Sequence, residues 1–307
     1  MGLQTMIDVH QHMLPPDYRR WLTRGGEVHD GFPVPRWSVE TALETMDRLG
    51  IDRAYLSVSS PGVLGADAAE SVQLARDVND FAAQMTRSHG QRLRYFAAVP
   101  MSDPEGAAQE ASRALDSLSA SGVGLLANTG GVYLGDPSHR PLMQALDARG
   151  AVVFVHPGSL PGPAVEGIPP FAADFLLDTT RAVIRLVTSG ALDAYPNIRY
   201  ILPHAGGFVP YAAMRIARTT AFPGDDWPRV MNALKSFYFD LAMSASPTVL
   251  PSLLAFTGAD HIMVGSDYPY APPGPIEGNL ASLRAYPLSP ADRAMIERGT
   301  AQSLLLR

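Results

Sequence analysis

The sequence predicts a (β/α)8 TIM barrel in which residues 1–307 form a single domain. Short apolar runs alternate with longer helical patterns along the whole chain, and there are eight of each. Strict alternation of strand and helix implies a parallel sheet, and eight such units are the number that closes a barrel. An open, doubly wound sheet is the alternative, but no Gly-x-Gly-x-x-Gly follows the first run, so a dinucleotide site has no support.

The predicted strands are short runs, mostly of β-branched or aromatic residues, as is typical of parallel strands that are buried on both faces. They span residues 6–9, 54–58, 95–99, 123–127, 152–155, 198–202, 237–241 and 262–264. The helical patterns span residues 39–49, 68–88, 104–121, 140–149, 171–194, 208–218, 248–256 and a C-terminal region from residue 290. Glycines and prolines, 27 of each, separate these segments and mark the loops.

The composition excludes several classes of function. With 30 acidic and 24 basic residues, the net charge of −6 argues against a nucleic-acid or anionic-membrane partner, which would need concentrated positive charge. The absence of cysteine excludes disulfides, thiolate metal sites and a cysteine nucleophile. The chain has no apolar run of about 18 residues and its first residues lack a signal-peptide pattern, so we expect no membrane span and a cytoplasmic location.

Ionisable side chains follow four of the predicted strands at the point where each strand ends. His10 and His12 lie two residues apart at the end of the first strand and therefore point to the same side. His156, His204 and Asp267 follow the fifth, sixth and eighth strands. A single histidine after a strand is more often structural than a ligand, but five such groups on one predicted face are hard to explain as packing. Barrel active sites lie at this face.

These residue types favour a metal site. Imidazole nitrogens combined with one carboxylate suit Zn²⁺, Mn²⁺ or Fe²⁺, and a catalytic ion keeps one position open for water or substrate. Asp8 shares the parity of His10, and we expect either that it orients a ligand imidazole or that it is a buried structural carboxylate.

Four short motifs resemble the amidohydrolase superfamily, in the branch typified by aminocarboxymuconate semialdehyde decarboxylase. They are Ile-Asp-Val-His-Gln-His at 7–12, Val-His-Pro at 155–157, Pro-His-Ala-Gly-Gly at 203–207 and Gly-Ser-Asp-Tyr-Pro at 265–269. Segments 176–181 and 190–196 look like the helix that follows strand 5 in that branch. Segments 34–40 and 57–63 are similar to its 6-methylsalicylate decarboxylases.

The resemblance implies a role for each residue at the strand ends. It makes His10, His12, His156 and Asp267 the ligands of a divalent metal, with zinc preferred and manganese the alternative, and His204 the catalytic acid/base. The implied activity is metal-dependent, non-oxidative decarboxylation of a small aromatic or enoic carboxylic acid. A metal-dependent hydrolase of the same superfamily is the alternative, and a non-catalytic barrel is a third hypothesis. The family also implies a homodimer.

The single lysine of the chain bears on the number of metal ions. Binuclear members of the superfamily commonly bridge two metals with a carboxylated lysine at the end of strand 4. Here the fourth predicted strand ends near Asn128, and Lys235 lies in a predicted helical segment before strand 7. We therefore expect one metal ion per chain.

The long connection at 11–38 follows the first strand, so we expect it to lie over the active site and to select the substrate. Within it, Arg36 is a candidate to pair with a substrate carboxylate, or else faces solvent. Phe32 and Trp37 are candidates to pack on an aromatic ring, or else anchor the loop. Further candidates of the same kind are Phe171, Tyr268 and Tyr270. For decarboxylation, Asp267 is the expected proton donor, with His204 as the alternative or its partner.

Overall fold

The computed structural model describes residues 6–29, 32–221 and 226–306, and eight of its strands form one parallel sheet. These strands are β1 (Met6–His12), β2 (Ile51–Ser57), β3 (Leu93–Ala97), β4 (Gly122–Leu126), β5 (Val152–His156), β6 (Arg199–Leu202), β7 (Tyr238–Asp240) and β8 (Ile262–Met263). Parallel bridges from Asp8 to Val264 and from Gln11 to Tyr268 join the first strand to the last. The sheet therefore closes on itself, and the predicted (β/α)8 barrel is confirmed.

Helices cover the outside of this sheet. They are α1 (Pro16–Leu22), α2 (Val39–Leu49), α3 (Ala68–His89), α4 (Pro104–Ser117), α5 (Arg140–Asp147), α6 (Pro170–Thr188), α7 (Ala191–Ala194), α8 (Val209–Thr220), α9 (Trp227–Lys235), α10 (Val249–Phe256), α11 (Pro273–Ala285), α12 (Pro290–Ala294) and α13 (Thr300–Leu305), with a π-helical turn at Met295–Gly299. Among the described residues, no helix combines the length and apolar character that crossing a bilayer would need.

Three differences from the predicted elements have local causes. The single helix expected at 171–194 is divided in two, because Gly190 adopts a left-handed φ of 75° that ends α6 and precedes α7. Helices α1 and α11 were not predicted, because prolines in both segments suggested loops. Pro16 and Pro273 stand at first helical positions, where the missing N–H costs no hydrogen bond.

The inside of the barrel is filled with side chains below the strand ends. The rings of Tyr55, Phe96 and Phe154 stack in sequence, with centroids 5.7 and 5.3 Å apart. Phe154 in turn contacts the ring of His10 edge-on, at a centroid distance of 4.8 Å. This packed apolar layer forms the floor on which the polar residues at the C-terminal ends of the strands lie.

Candidate active site

The side chains of His10, His12, His156 and Asp267 meet at the C-terminal end of the barrel. Each offers one nitrogen or oxygen atom, and these four atoms lie within 4.8 Å of one another. The two β1 histidines point inward together, as their spacing predicted, and His156 is the last residue of β5. Asp267 follows β8 with a left-handed φ of 64°, a conformation that L-residues rarely adopt and that turns the chain at the site.

The separations between the donor atoms match those of ligands around a metal ion. His10 Nε2 lies 3.1 Å from His12 Nε2, and Asp267 Oδ1 lies 3.4 and 3.0 Å from these two nitrogens. Ligands on a tetrahedral or octahedral ion with bonds of about 2.0–2.1 Å are themselves about 3–3.4 Å apart. His10, His12 and Asp267 are therefore spaced like the ligands of a small divalent cation, and the nitrogen of His156 lies within 4.8 Å of them.

Outer hydrogen bonds fix which ring nitrogen each imidazole turns toward the cluster. The Nδ1–H of His156 donates to the carbonyl of Pro157 at 2.7 Å, which leaves Nε2 as the unprotonated nitrogen of the neutral ring. His12 Nδ1 lies 3.2 Å from the hydroxyl of Ser57 at the end of β2. Outer partners of this kind orient metal-binding histidines and fix their tautomer.

The partner of His10 is Asp240, a residue that the sequence analysis did not single out. His10 Nδ1 lies 2.8 Å from Asp240 Oδ2, and both side chains are fully buried. The other carboxylate oxygen accepts hydrogen bonds from the backbone N–H groups of His204 and Ala242. The signal that could have identified Asp240 in the sequence is that it is the one acidic residue in the otherwise apolar run at 237–241.

Of the two roles that the sequence left open for Asp8, its contacts in the structure favour that of a buried structural carboxylate. The carboxylate accepts from the backbone N–H groups of His10 and Ser266, at 3.0 and 3.1 Å, and from the side-chain amide of Gln11. Asp8 thus ties β1 to the segment after β8 through the backbone. Its complete burial raises its pKa to about 6. The alternation of side chains along β1 correctly put Asp8 on the same side of the strand as His10. Asp8, however, comes two residues earlier on β1, and its carboxylate binds the backbone of His10 and not its ring.

Burial and neighbouring charges shift the pKa values of the four clustered residues in different directions. Burial lowers the pKa of His12, and lowers that of His156 well below its usual range. For His10, burial acts in the same direction, but the neighbouring carboxylates of Asp240 and Asp267 outweigh it and raise the pKa to about 10. For Asp267, burial raises the pKa, but hydrogen bonds from His10 and His12 outweigh it and hold the pKa well below its ordinary value. Asp240 and Asp267 thus place two carboxylates against the His10 ring, where a positive charge, on that ring or on a bound cation, offsets them.

His204 lies beside the cluster without belonging to the four-residue group. It follows β6 in a short 3-10 turn with a left-handed φ of 51°. Its ring centroid is 5.1 Å from that of His10, and its Nδ1–H donates to the carbonyl of Ala242 at 3.0 Å. The Nε2 atom of the neutral ring is therefore the one that can accept a proton.

A cavity of about 390 Å³ opens directly on these residues. His156, His204 and Asp267 form part of its polar end, to which Ser59 and Ser60 add two hydroxyl side chains. The volume matches the lower end of the range typical of small-molecule sites. It is the place where a small substrate would meet the cluster.

The rest of the cavity wall is largely apolar. It includes Phe171, Phe175 and Leu176 of α6 together with Tyr270 and Pro275. No lysine or arginine is among the described residues that line it. A carboxylate entering this cavity would therefore find its positive partner at the cluster and not on the wall.

The structure does not bring Arg36 and Trp37 to this cavity. Arg36 is exposed, and the Trp37 ring packs on Phe81 of α3 with centroids 6.2 Å apart. The 11–38 connection packs against the outside of the barrel here, where Arg24 also binds Glu70 of α3. Roles for Arg36 and Trp37 in substrate binding stay predictions, and the side chain of Phe32 lies outside the described residues.

Of the further aromatic candidates, two line the cavity and one does not. Phe171 and Tyr270 are part of its wall. Tyr268 is buried beside β1 and donates its hydroxyl to the carbonyl of Thr41 at 3.4 Å.

Comparison with known proteins places this fold and this arrangement in a family. The amidohydrolase family profile matches residues 7–307. The chain belongs to the amidohydrolase family. This confirms the resemblance inferred from the four strand-end motifs.

The relatives of this amidohydrolase include decarboxylases of aromatic acids. A 6-methylsalicylic acid decarboxylase of Penicillium expansum is 34% identical over 98% of this chain and 96% of its own. A gamma-resorcylate decarboxylase of Polaromonas sp. is 30% identical over 85% of each chain. These relatives agree with the predicted decarboxylase activity and not with the hydrolase alternative.

Solved structures show the same fold. A crystal structure described as amidohydrolase II superposes with a TM-score of 0.92 at 31% identity, covering 99% of this chain and 100% of that one. A dihydroxybenzoic acid decarboxylase from Polaromonas sp., solved with bound manganese and the inhibitor 2-nitroresorcinol, superposes with a TM-score of 0.81 at 24% identity, covering 99% and 97%.

Proposed function

We propose that this protein is a metal-dependent, non-oxidative decarboxylase of a 2-hydroxybenzoate with a small apolar substituent, of the 6-methylsalicylic acid type. One observation carries the proposal: the His10, His12, His156 and Asp267 group stands at the end of an otherwise apolar cavity that no described cationic side chain lines. Such a cavity accepts an aromatic ring with one acidic end. The 34% identical 6-methylsalicylic acid decarboxylase supports this choice of substrate.

The proposed cofactor is one divalent metal ion per chain, held by His10, His12, His156 and Asp267. Three imidazoles and one carboxylate suit both zinc and manganese. Zinc is the ion we propose, with manganese as the alternative that the manganese-bound structural relative favours. Elemental analysis of protein purified without added metal distinguishes them, and a content of about two ions per chain would contradict the mononuclear site.

The bound metal would act as a Lewis acid that orients the carboxylate and phenolic oxygens of the substrate. Loss of CO₂ breaks the bond between the ring carbon and the carboxyl carbon, and the ring carbon must then take up a proton. We assign this proton to Asp267, whose carboxylate would take it from the phenolic hydroxyl of the bound substrate and pass it to the ring carbon. His204 would then return a proton, taken up from solvent, to the phenolic oxygen, so that one solvent proton is consumed for each CO₂ released.

A panel of substrates tests the proposed activity against the hydrolase alternative. We expect CO₂ release from 6-methylsalicylate, with the 3-methylphenol product seen by chromatography. We expect a lower kcat/KM for 2,6-dihydroxybenzoate if its second hydroxyl faces the α6 side of the cavity, because that side is formed by apolar residues and offers the hydroxyl no partner. Ring-opened acid from lactone substrates without CO₂ from any hydroxybenzoate would favour a hydrolase instead.

We also propose that the chain forms a homodimer and acts in the cytoplasm. Exposed apolar side chains on and beside α8 support an interface: Tyr211 is 90% exposed, Met214 47% and Phe208 38%. Exposed apolar patches of this kind often mark protein contacts. Light scattering during size-exclusion chromatography tests the dimer, and substitution Tyr211→Lys is expected to weaken it. Cell fractionation tests the location.

A further inference from the structure

Asp178 is a fully buried carboxylate of α6 that does not line the cavity. Its Oδ2 accepts the backbone N–H of Gly158 at 2.9 Å, and its Oδ1 accepts the side-chain amide of Asn128 at 2.8 Å. Burial raises the pKa of Asp178, and the hydrogen bonds from Gly158 and Asn128 oppose this rise and favour the ionised form. The carboxylate is thus anchored to the two segments that follow β4 and β5.

The peptide group that Asp178 binds is the one that holds His156. Its N–H belongs to Gly158, and its carbonyl, that of Pro157, accepts from Nδ1 of His156 at 2.7 Å. This peptide bond is trans, so that its N–H and C=O point in opposite directions. The carboxylate, the peptide group and the imidazole therefore form one continuous hydrogen-bonded series.

We propose that Asp178 is a positioning residue for the metal, acting on the ligand His156 through the Pro157–Gly158 peptide group. The inference rests on the proposed metal site and deepens it. A carboxylate that accepts the N–H polarises the peptide and strengthens the hydrogen bond at its carbonyl. A stronger acceptor at Nδ1 makes Nε2 a better ligand, and the fixed peptide plane holds the ring in place.

The arrangement at His10 supports this interpretation. There a buried carboxylate, that of Asp240, contacts Nδ1 directly at 2.8 Å. At His156 the carboxylate lies one peptide group further out and contacts the ring through it. The outer nitrogen of His10 thus contacts a buried carboxylate directly, and that of His156 is connected to one through a peptide group. The outer nitrogen of His12 contacts the hydroxyl of Ser57 instead.

The test measures metal affinity and does not depend on activity. Metal-free wild type and Asp178→Asn are titrated with Mn²⁺ by calorimetry and with Co²⁺ by visible absorption. Second-sphere substitutions at metal histidines typically cost 10- to 100-fold in affinity, and through the intervening peptide we expect about 10-fold. The Co²⁺ absorption bands should also shift, because the orientation of one ligand changes.

Glu110→Gln is the matched control. Like Asp178, Glu110 of α4 is a buried carboxylate that accepts an asparagine amide, that of Asn79 at 2.7 Å, and does not line the cavity. This substitution is expected to lower stability and to leave the affinity for Mn²⁺ unchanged. Equal losses of affinity in both variants would mean general loosening of the barrel and would overturn the inference.

If Asp178→Asn does not fold, the exchange variant Asn128→Asp/Asp178→Asn carries the test. In this variant a carboxylate at position 128 accepts from the new amide at position 178, and the uncharged amide oxygen at 178 still accepts the N–H of Gly158. The negative charge is therefore no longer next to that N–H. We expect the same affinity loss of about 10-fold. Affinity equal to wild type overturns the role of Asp178 and leaves the proposed function standing. A wild-type protein that binds neither ion overturns both.

Discussion

At the scale of single residues, the position of His204 supports the acid/base role that we propose for it. Its ring lies beside that of His10, at a centroid distance of 5.1 Å, yet it is not one of the four grouped donors. Its Nδ1–H is held by the carbonyl of Ala242, so the ring keeps one orientation and presents Nε2. A residue in this position can move a proton without holding the ion.

Substitution His204→Asn should therefore abolish most of the activity and keep the metal. We expect kcat for CO₂ release to fall by about 10²-fold or more, because general acid–base groups contribute about 10²- to 10⁴-fold. Metal content per chain, measured on the same sample, should equal that of wild type. The control His12→Asn should lose both. A His204→Asn variant with unchanged kcat would contradict the assigned role.

Among the elements, the end of β8 depends on a glycine. A Cβ atom built on Gly265 would lie 2.9 Å from Cβ of His10, 3.0 Å from Oδ1 of Asp240 and 3.1 Å from Cβ of Ala242. The strand carrying Asp267 can approach β1 and β7 this closely only because residue 265 has no side chain. This close packing brings the ligands of different strands into one cluster.

Gly265→Ala is accordingly expected to destabilise the protein by about 1–3 kcal/mol, the usual cost of overpacking, and to weaken metal binding. Chemical denaturation and Mn²⁺ titration measure the two effects. The control is Gly278→Ala on α11, where a Cβ meets nothing within 4 Å. That change should be neutral or stabilise by up to about 1 kcal/mol, since alanine favours a helix. Equal stability of the two variants would contradict the packing argument.

The residue directly before α5 is a histidine that makes stability depend on pH. His139 is 3% exposed, and burial lowers its pKa below the usual value of about 6.5. As the pH falls through about 6.5, the unfolded chain takes up this proton before the folded chain does. The contribution of His139 is therefore fully present above that pH and is lost as the pH falls.

His139→Leu removes this titration, and so we expect its free energy of unfolding to fall less steeply than that of wild type between pH 7 and pH 5.5. Urea denaturation at several pH values measures both slopes. The other histidines are common to the two proteins and cancel in the difference. Parallel pH profiles would show that residue 139 titrates alike in the folded and unfolded states.

At the scale of the whole molecule, the donor cluster links β1, β5 and the segment after β8. A bound ion would connect strands that are far apart along the chain, and binding to the folded state alone raises stability. Adding a chelator should thus lower the melting temperature. At a free metal concentration 100 times Kd, the loss corresponds to about 2.7 kcal/mol.

The double variant His10→Ala/His12→Ala is the control for this measurement. Its melting temperature should not respond to chelator or to added Mn²⁺, whereas that of wild type should respond to both. A chelator effect of equal size in the double variant would place the stabilising ion elsewhere.

Much of the molecule could be predicted because its signals are local. Apolar runs with regular spacing predicted all eight barrel strands, and the five ionisable residues that follow them include the four side chains that meet at the cluster, the set that the family resemblance implied. Helices α1 and α11 were missed because proline at a first helical position looks the same in sequence as proline in a loop. The outer partners of His10 and His12 were missed because Asp240 and Ser57 come from distant segments of the chain.

The sequence by itself determined the fold class, the family and the face on which His10, His12, His156, His204 and Asp267 lie. Alternation of strand and helix indicates the fold class and the face, since parallel strands bring their C-terminal ends to one edge, and the four strand-end motifs indicate the family. Only the tertiary structure decided that Asp240, and not Asp8, contacts the imidazole of His10, and that Asp178 contacts the peptide group whose carbonyl accepts from His156. Periodicity gives the side of a strand that a residue faces, whereas a hydrogen bond depends on distances that arise only when the barrel closes.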